Sequence, residues 1–175
     1  LVVLAIRNER RPATDQQEPV VLQQDPAKTA EIIFSPNEVV LASNTATTTV
    51  DIIVDTKEYE VDGVQLELMY DPEVLTNVTM TTPEQNFFGG QGNSNNFINE
   101  VDPQRGRVSY WFGINPMLTS KQGTGVVAQL SFTLNPQSSA TETVIDVLDK
   151  SMITEIETNK NVLAAPSPLN ITIVR

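Results

Sequence analysis

The run at residues 61–78, VDGVQLELMYDPEVLTNV, constrains this chain more than any other stretch. Val64, Leu66, Leu68 and Tyr70 recur at every second position, while Gln65, Glu67 and Met69 fill the positions between. That is the period of a strand with one face buried. Asp71-Pro72 ends it, because proline offers no ladder donor and fixes its own φ. Val74 and Leu75 then follow as apolar anchors that can fold back under the sheet edge.

The rest of the chain follows the same rule. Short runs at residues 48–54, 108–112, 126–134, 144–148 and 169–174 are rich in Val, Ile, Thr and aromatics, and Pro, Gly, Asn and Asp separate them. The pattern predicts an all-β chain: an antiparallel, jelly-roll-like β-sandwich of about nine strands with an extended N-terminal arm. Its expected core includes Val50, Ile52, Leu66, Leu68, Val108, Phe112, Leu130, Phe132, Ile171 and Ile173. With 175 residues, the chain is long enough for one domain with a substantial core. Residues 82–99, TPEQNFFGGQGNSNNFIN, form the longest non-periodic segment and are expected to be a loop pinned by Phe87, Phe88 and Phe97.

These segments together resemble the cohesin family, extracellular β-sandwich modules known as dockerin receptors. Residues 30–55 resemble its opening strand, a Pro-containing crossing and its second long strand. Residues 106–113 (GRVSYWFG) and 123–134 (GTGVVAQLSFTL) resemble its paired central strands, and Leu169–Val174 its closing strand. The likeness spans residues 29–175. It implies a non-catalytic assembly module outside the cell or on its surface, with a protein partner held on one sheet face. On the matching strand the outward positions are Gln65, Glu67 and Met69.

Residues 1–28 lie outside that resemblance. LVVLAI is followed by RNERRP and then by a Pro/Gln-rich tether with little capacity to pack alone. Six apolar residues fall far short of the roughly 20 that span a bilayer, so a membrane would be reached only through an anchor of which this run is a remnant. The expected role is instead that Leu1, Val2, Val3, Leu4 and Ile6 form a strand donated to a neighbouring subunit, giving a homopolymer such as a surface filament or pilus-like fibre, with a membrane-tethered receptor for a dockerin-like partner as the alternative. Arg7, Arg10 and Arg11 against Glu9 give residues 1–11 a charge of +2, whereas the remaining residues carry 8 basic and 21 acidic groups, a net of −13. Opposite signs favour contact between arm and body. Docking of the arm on its own domain satisfies the same pattern.

Composition narrows the chemistry. The chain has neither His nor Cys, which removes imidazole bases, thiol nucleophiles, disulfides and the usual zinc ligands. Its net charge of −11 repels phosphate backbones and argues against nucleic acid. Glu58, Glu60 and Asp62 are close in sequence, but an acidic hairpin surface explains them better than a glycosidase pair. No catalytic residue, metal site or cofactor is expected. Trp111, with Tyr110 beside it, is the candidate for a sugar-stacking platform in an alternative carbohydrate-binding role. Burial against the opposite sheet or a crossing loop is the expected fate of this sole Trp.

Overall fold

The computed structural model describes residues 26–42, 47–90, 92–115 and 117–174. Their eleven strands are β1 (Glu31–Ser35), β2 (Glu38–Ala42), β3 (Thr48–Asp55), β4 (Val61–Tyr70), β5 (Leu75–Thr81), β6 (Ser94–Asp102), β7 (Arg107–Ile114), β8 (Thr124–Leu134), β9 (Glu142–Val147), β10 (Met152–Glu155) and β11 (Leu169–Val174). A four-stranded sheet, β1-β3-β8-β5, packs on a seven-stranded sheet, β2-β11-β9-β4-β7-β6, in which β10 also pairs with β4. Alternation along each strand sends one side-chain set into the space between the sheets. All ten expected core residues are buried there. Val74 and Leu75 also turn inward after the Asp-Pro stop.

Four sequence expectations need correction. The sandwich is not wholly antiparallel, because β11 pairs with β2 in parallel through Ile171↔Val39 and Ile173↔Leu41. Strands β7 and β8 are not paired with each other: β7 lies between β4 and β6, and β8 between β3 and β5. They meet across the core instead, where the buried Tyr110 hydroxyl donates to the Val127 carbonyl at 3.1 Å. The residues after β3 are not a hairpin, since β3 and β4 belong to opposite sheets and the segment between them crosses from one to the other.

The expected loop at residues 82–99 is the fourth. It ends sooner than its composition suggests, because β6 begins at Ser94. Asparagine is a poor strand former, and the register shift between Asn96 and Ile98 erases the alternation, so β6 has no period to read. Phe88 is buried 5.5 Å from the Phe112 ring and Phe87 packs edge-on against it, so these two do pin the loop. Phe97 does not; it lies on the outward side of β6, half exposed.

Candidate functional site

Strand β4 organises the seven-stranded sheet. One of its edges pairs with β7 along its length, and the other is shared by β10 at residues 61–65 and β9 at residues 68–70. Where the partner changes, Glu67 would be left with unpaired backbone groups. Buried Ser151 closes this gap: the Glu67 N–H donates to Ser151 Oγ at 2.9 Å, and the Leu148 N–H donates to the Glu67 carbonyl at 2.8 Å. The β9-β4-β7-β6 region is therefore continuous, and its outward side chains share one surface.

That surface carries an aromatic shelf. Trp111 stands outward between buried Tyr110 and Phe112, and 45% of it is exposed. The Phe97 ring lies 5.0 Å from it, tilted by 43°. Both rings rest on a glycine floor formed by the cross-strand pair Gly63↔Gly113. A Cβ at Gly113 would lie 2.9 Å from the Asp62 carbonyl oxygen and 3.2 Å from Phe97 Cε2, and one at Gly63 would lie 3.7 Å from Trp111 Nε1. The absent side chains are what let the rings lie against the sheet. Ile98 faces Trp111 across the β6–β7 ladder.

The expected partner-face residues adjoin this shelf. Gln65 is the register partner of Trp111 on one side and of Met152 on the other. Its Nε2 donates to Glu67 Oε1 at 3.1 Å, and Ser109 Oγ donates to Glu67 Oε2 at 2.8 Å, so Glu67 faces outward but is half-buried and held in place. Met69 is exposed beside Asp146 and Arg107. Beyond Met69 a cleft of about 670 Å³ opens between β4, β9 and β11, lined by Asp71, Glu142, Val144, Asp146, Asn170 and Thr172 among others. Of the eleven large apolar side chains left exposed among the described residues, seven lie on the outer face of this sheet: Val40, Met69, Phe97, Ile98, Trp111, Val144 and Val174.

The sugar-platform expectation fails at Tyr110 and the burial expectation fails at Trp111. Tyr110 is fully buried: its hydroxyl lies 2.6 Å from Thr82 Oγ1, and burial pushes its pKa up to about 12 despite that hydrogen bond. It presents no ring to solvent. Trp111 is exposed because neighbours in sequence point to opposite faces and, among the described residues, nothing buries it on the outer side. Its true companion, Phe97, is hidden in the sequence by the β6 bulge. The 43° tilt denies a sugar ring a flat double surface.

Nor do the clustered acids converge. Glu58 accepts from Thr29 Oγ1, Glu60 accepts from Ser120 Oγ, and Asp62 is half-buried. Burial raises the Asp62 pKa, with Glu155 adding a smaller repulsion. Among the described residues no acidic cluster has the geometry to hold a metal ion. The arm residues Leu1 to Arg11 lie outside the described residues.

No family model and no curated protein matches the chain. Solved structures do match. CaCohA2 from Clostridium acetobutylicum, a solution structure, is similar at a TM-score of 0.62 and 18% identity, over 85% of this chain and 92% of that one. The sixth cohesin of scaffoldin B from Acetivibrio cellulolyticus, solved with a Cel5 dockerin, aligns at a TM-score of 0.64 and 11% identity, covering 83% and 99%. The OlpA cohesin of Clostridium thermocellum, solved with Doc918, aligns at 0.63 and 10% identity, also covering 83% and 99%. The chain has the cohesin fold, a jelly-roll sandwich.

Proposed function

We propose that this chain is a non-catalytic, extracellular protein-interaction module that holds a dockerin-like partner on the outer face of β9-β4-β7-β6. The observation that carries this reading is the concentration of exposed apolar side chains on one sheet face, centred on Trp111 and Phe97. Exposed apolar patches of this kind mark interaction surfaces, and Trp in particular supplies binding hot spots. Similar folds solved with dockerins support the choice of partner. The absence of His and Cys and the dispersal of the carboxylates support a non-catalytic role. In this reading residues 1–28 are a tether that holds the sandwich away from the surface to which it is attached. The test is an NMR titration of the isotope-labelled chain with a panel of dockerin modules. Amide shifts should concentrate at Gln65, Phe97 and Trp111 and disappear in Trp111→Ala. Shifts centred on β3 and β8 would contradict the assignment.

One observation favours self-association as a second reading. Strand β1 is a sheet edge bordered by a groove of about 260 Å³, lined by Ile32, Ile33, Phe34 and the residues 165–168. An edge strand is a template for an added strand, and Leu1, Val2, Val3, Leu4 and Ile6 supply one of suitable composition. Sedimentation of the full chain should then show concentration-dependent polymers that vanish on deletion of residues 1–11. A full chain that stays monomeric would leave only the tethered receptor.

A further inference from the structure

Two prolines set what the β1 edge can bind. The segment 162–164 runs parallel to the start of β1 and bonds both backbone groups of Ala30: the Ala30 N–H donates to the Val162 carbonyl at 3.1 Å, and the Ala164 N–H donates to the Ala30 carbonyl at 2.8 Å. Continued in the same register, this ladder would take its next two donors from residues 166 and 168, for the carbonyls of Ile32 and Phe34. Both are proline and have no N–H to give. Among the described residues the ladder stops there, and no backbone bond joins Ile32 or Phe34 to residues 164–168. Because β1 pairs with β3 without a register shift, the backbone groups of Ile32 and Phe34 point the same way as those of Ala30, away from β3 and into the groove. Ala165, Pro166 and Pro168 form its other wall.

The groove therefore lacks a strand with donors at alternate positions and apolar side chains. The run LVVLAI has both. Laid parallel to β1 with Val3 beside Ile33, it brings the Val3 and Ala5 N–H groups to the carbonyls that Pro166 and Pro168 leave without a donor. Val2 and Leu4 then share the core side with Ile32 and Phe34, and Val3 covers exposed Ile33. Charge sets the direction. At the Glu31 end of the groove Lys57 already stands, paired with Glu31 at 2.8 Å and with Asp55 at 2.7 Å. At the far end are Asp51, the register partner of Ser35, and Glu38, neither of them in an ion pair among the described residues. Arg7, Arg10 and Arg11 follow Ile6, so a parallel arm delivers them to these carboxylates and an antiparallel one delivers them to Lys57.

Length settles whose arm it is. Arg7 would leave the groove about eleven positions along β1 from Pro26, or about 35 Å at ~3.3 Å per residue. Residues 7–25 reach more than about 60 Å when extended and about 24 Å root-mean-square as a flexible chain. A chain's own arm is thus present at its groove at an effective concentration on the order of 1 mM, which a neighbour's arm matches only in solutions of that strength.

We propose that the arm lies in the β1 groove of its own chain as a parallel edge strand, so that each molecule caps its own edge and polymers form only by exchange of arms between neighbours. This rests on the reading of the β1 groove as the arm's acceptor and adds how self-association is regulated. The chain has no cysteine, so an introduced pair reports alone. In the full chain carrying Val3→Cys and Ile33→Cys, oxidation at about 10 µM should give a disulfide closed within one chain, seen as a monomer on a non-reducing gel. Without either cysteine, the Ile32 and Phe34 amides should exchange at least about tenfold more slowly than in Leu4→Asp. That comparison changes nothing in the sandwich, so it stands if Ile33→Cys folds poorly. Interchain disulfides at the same concentration would overturn the self-capping and leave the groove as the arm's acceptor. No disulfide beyond that of a Val3→Cys, Thr79→Cys control on the opposite sheet edge, with equally fast amide exchange in both chains, would overturn both.

Discussion

The two outer faces of the sandwich are built from strands of similar length and the same alternation, yet they differ in what they leave uncovered. On the four-stranded sheet the outward positions are mostly hydroxyls, amides and carboxylates that bond to one another. Thr49 Oγ1 meets Ser131 Oγ at 2.8 Å, Gln129 Nε2 donates to Asp51 at 2.9 Å, and Thr76 and Thr133 pair at 3.0 Å. Ile33 is the only large apolar side chain exposed there among the described residues. The seven-stranded sheet exposes seven, including the sole Trp. A face that needs only water can satisfy itself with cross-strand polar pairs. A face that keeps a Trp and a Phe on a glycine floor retains apolar surface whose burial by a partner would be favourable.

The largest expected effect comes from breaking the layer on which both faces depend. Leu66→Ala removes a fully buried side chain and should cost about 2–5 kcal/mol in urea unfolding. Its outward neighbour Glu67 is held by Gln65 and Ser109, so Glu67→Ala should cost only about 1 kcal/mol. Gly113→Ala should fall between them at about 1–3 kcal/mol, because the new methyl group meets the Asp62 carbonyl and the Phe97 ring. That variant should also shift the Trp111 emission spectrum, since Phe97 must move.

Two neighbouring carboxyls sharpen the picture through pH. Burial raises the Asp62 pKa in the folded state, so its ionisation opposes folding. The penalty is absent below the unfolded value, grows as pH rises, and is complete above the folded value. Asp62→Asn should therefore stabilise the protein at neutral pH, with the gain disappearing in acid. Glu155 behaves oppositely. Burial pushes its pKa up, but hydrogen bonds from the Thr158 hydroxyl and the Glu157 and Thr158 N–H groups outweigh this and leave it lowered. Its contribution is present above the unfolded pKa and is lost as pH falls, so Glu155→Gln should destabilise at neutral pH and less so in acid. Thermal melts across pH 3–8 check both signs. The smallest effect should be Thr49→Ala on the polar face, within about 1 kcal/mol and without change in partner binding.

The legible parts of the sequence were those whose period survives folding. Leu66, Leu68, Val108 and Phe112 sit in uninterrupted strands, so alternation marked them as core and marked Gln65 and Met69 as outward. Trp111 was outward by the same parity, but whether another segment covers an outward side chain is a tertiary fact. Phe97 was illegible because a bulge and an Asn-rich context conceal β6. The acidic cleft was illegible too, since Asp71, Glu142 and Asp146 come from two distant segments that only the β9–β4 pairing brings together. Sheet membership also escaped the pattern, because period 2 says which face is buried but not which strand lies alongside.

Trp111 is its own reporter, since no other Trp contributes to the fluorescence. Titrating the full chain with a dockerin module that binds it while following Trp111 emission and acrylamide quenching tests the central claim most directly. The free protein should be readily quenched, and saturation with one module per chain should shift the Trp111 emission to the blue and protect the indole. Stoichiometric binding that leaves Trp111 as accessible as before would contradict the assignment of this face.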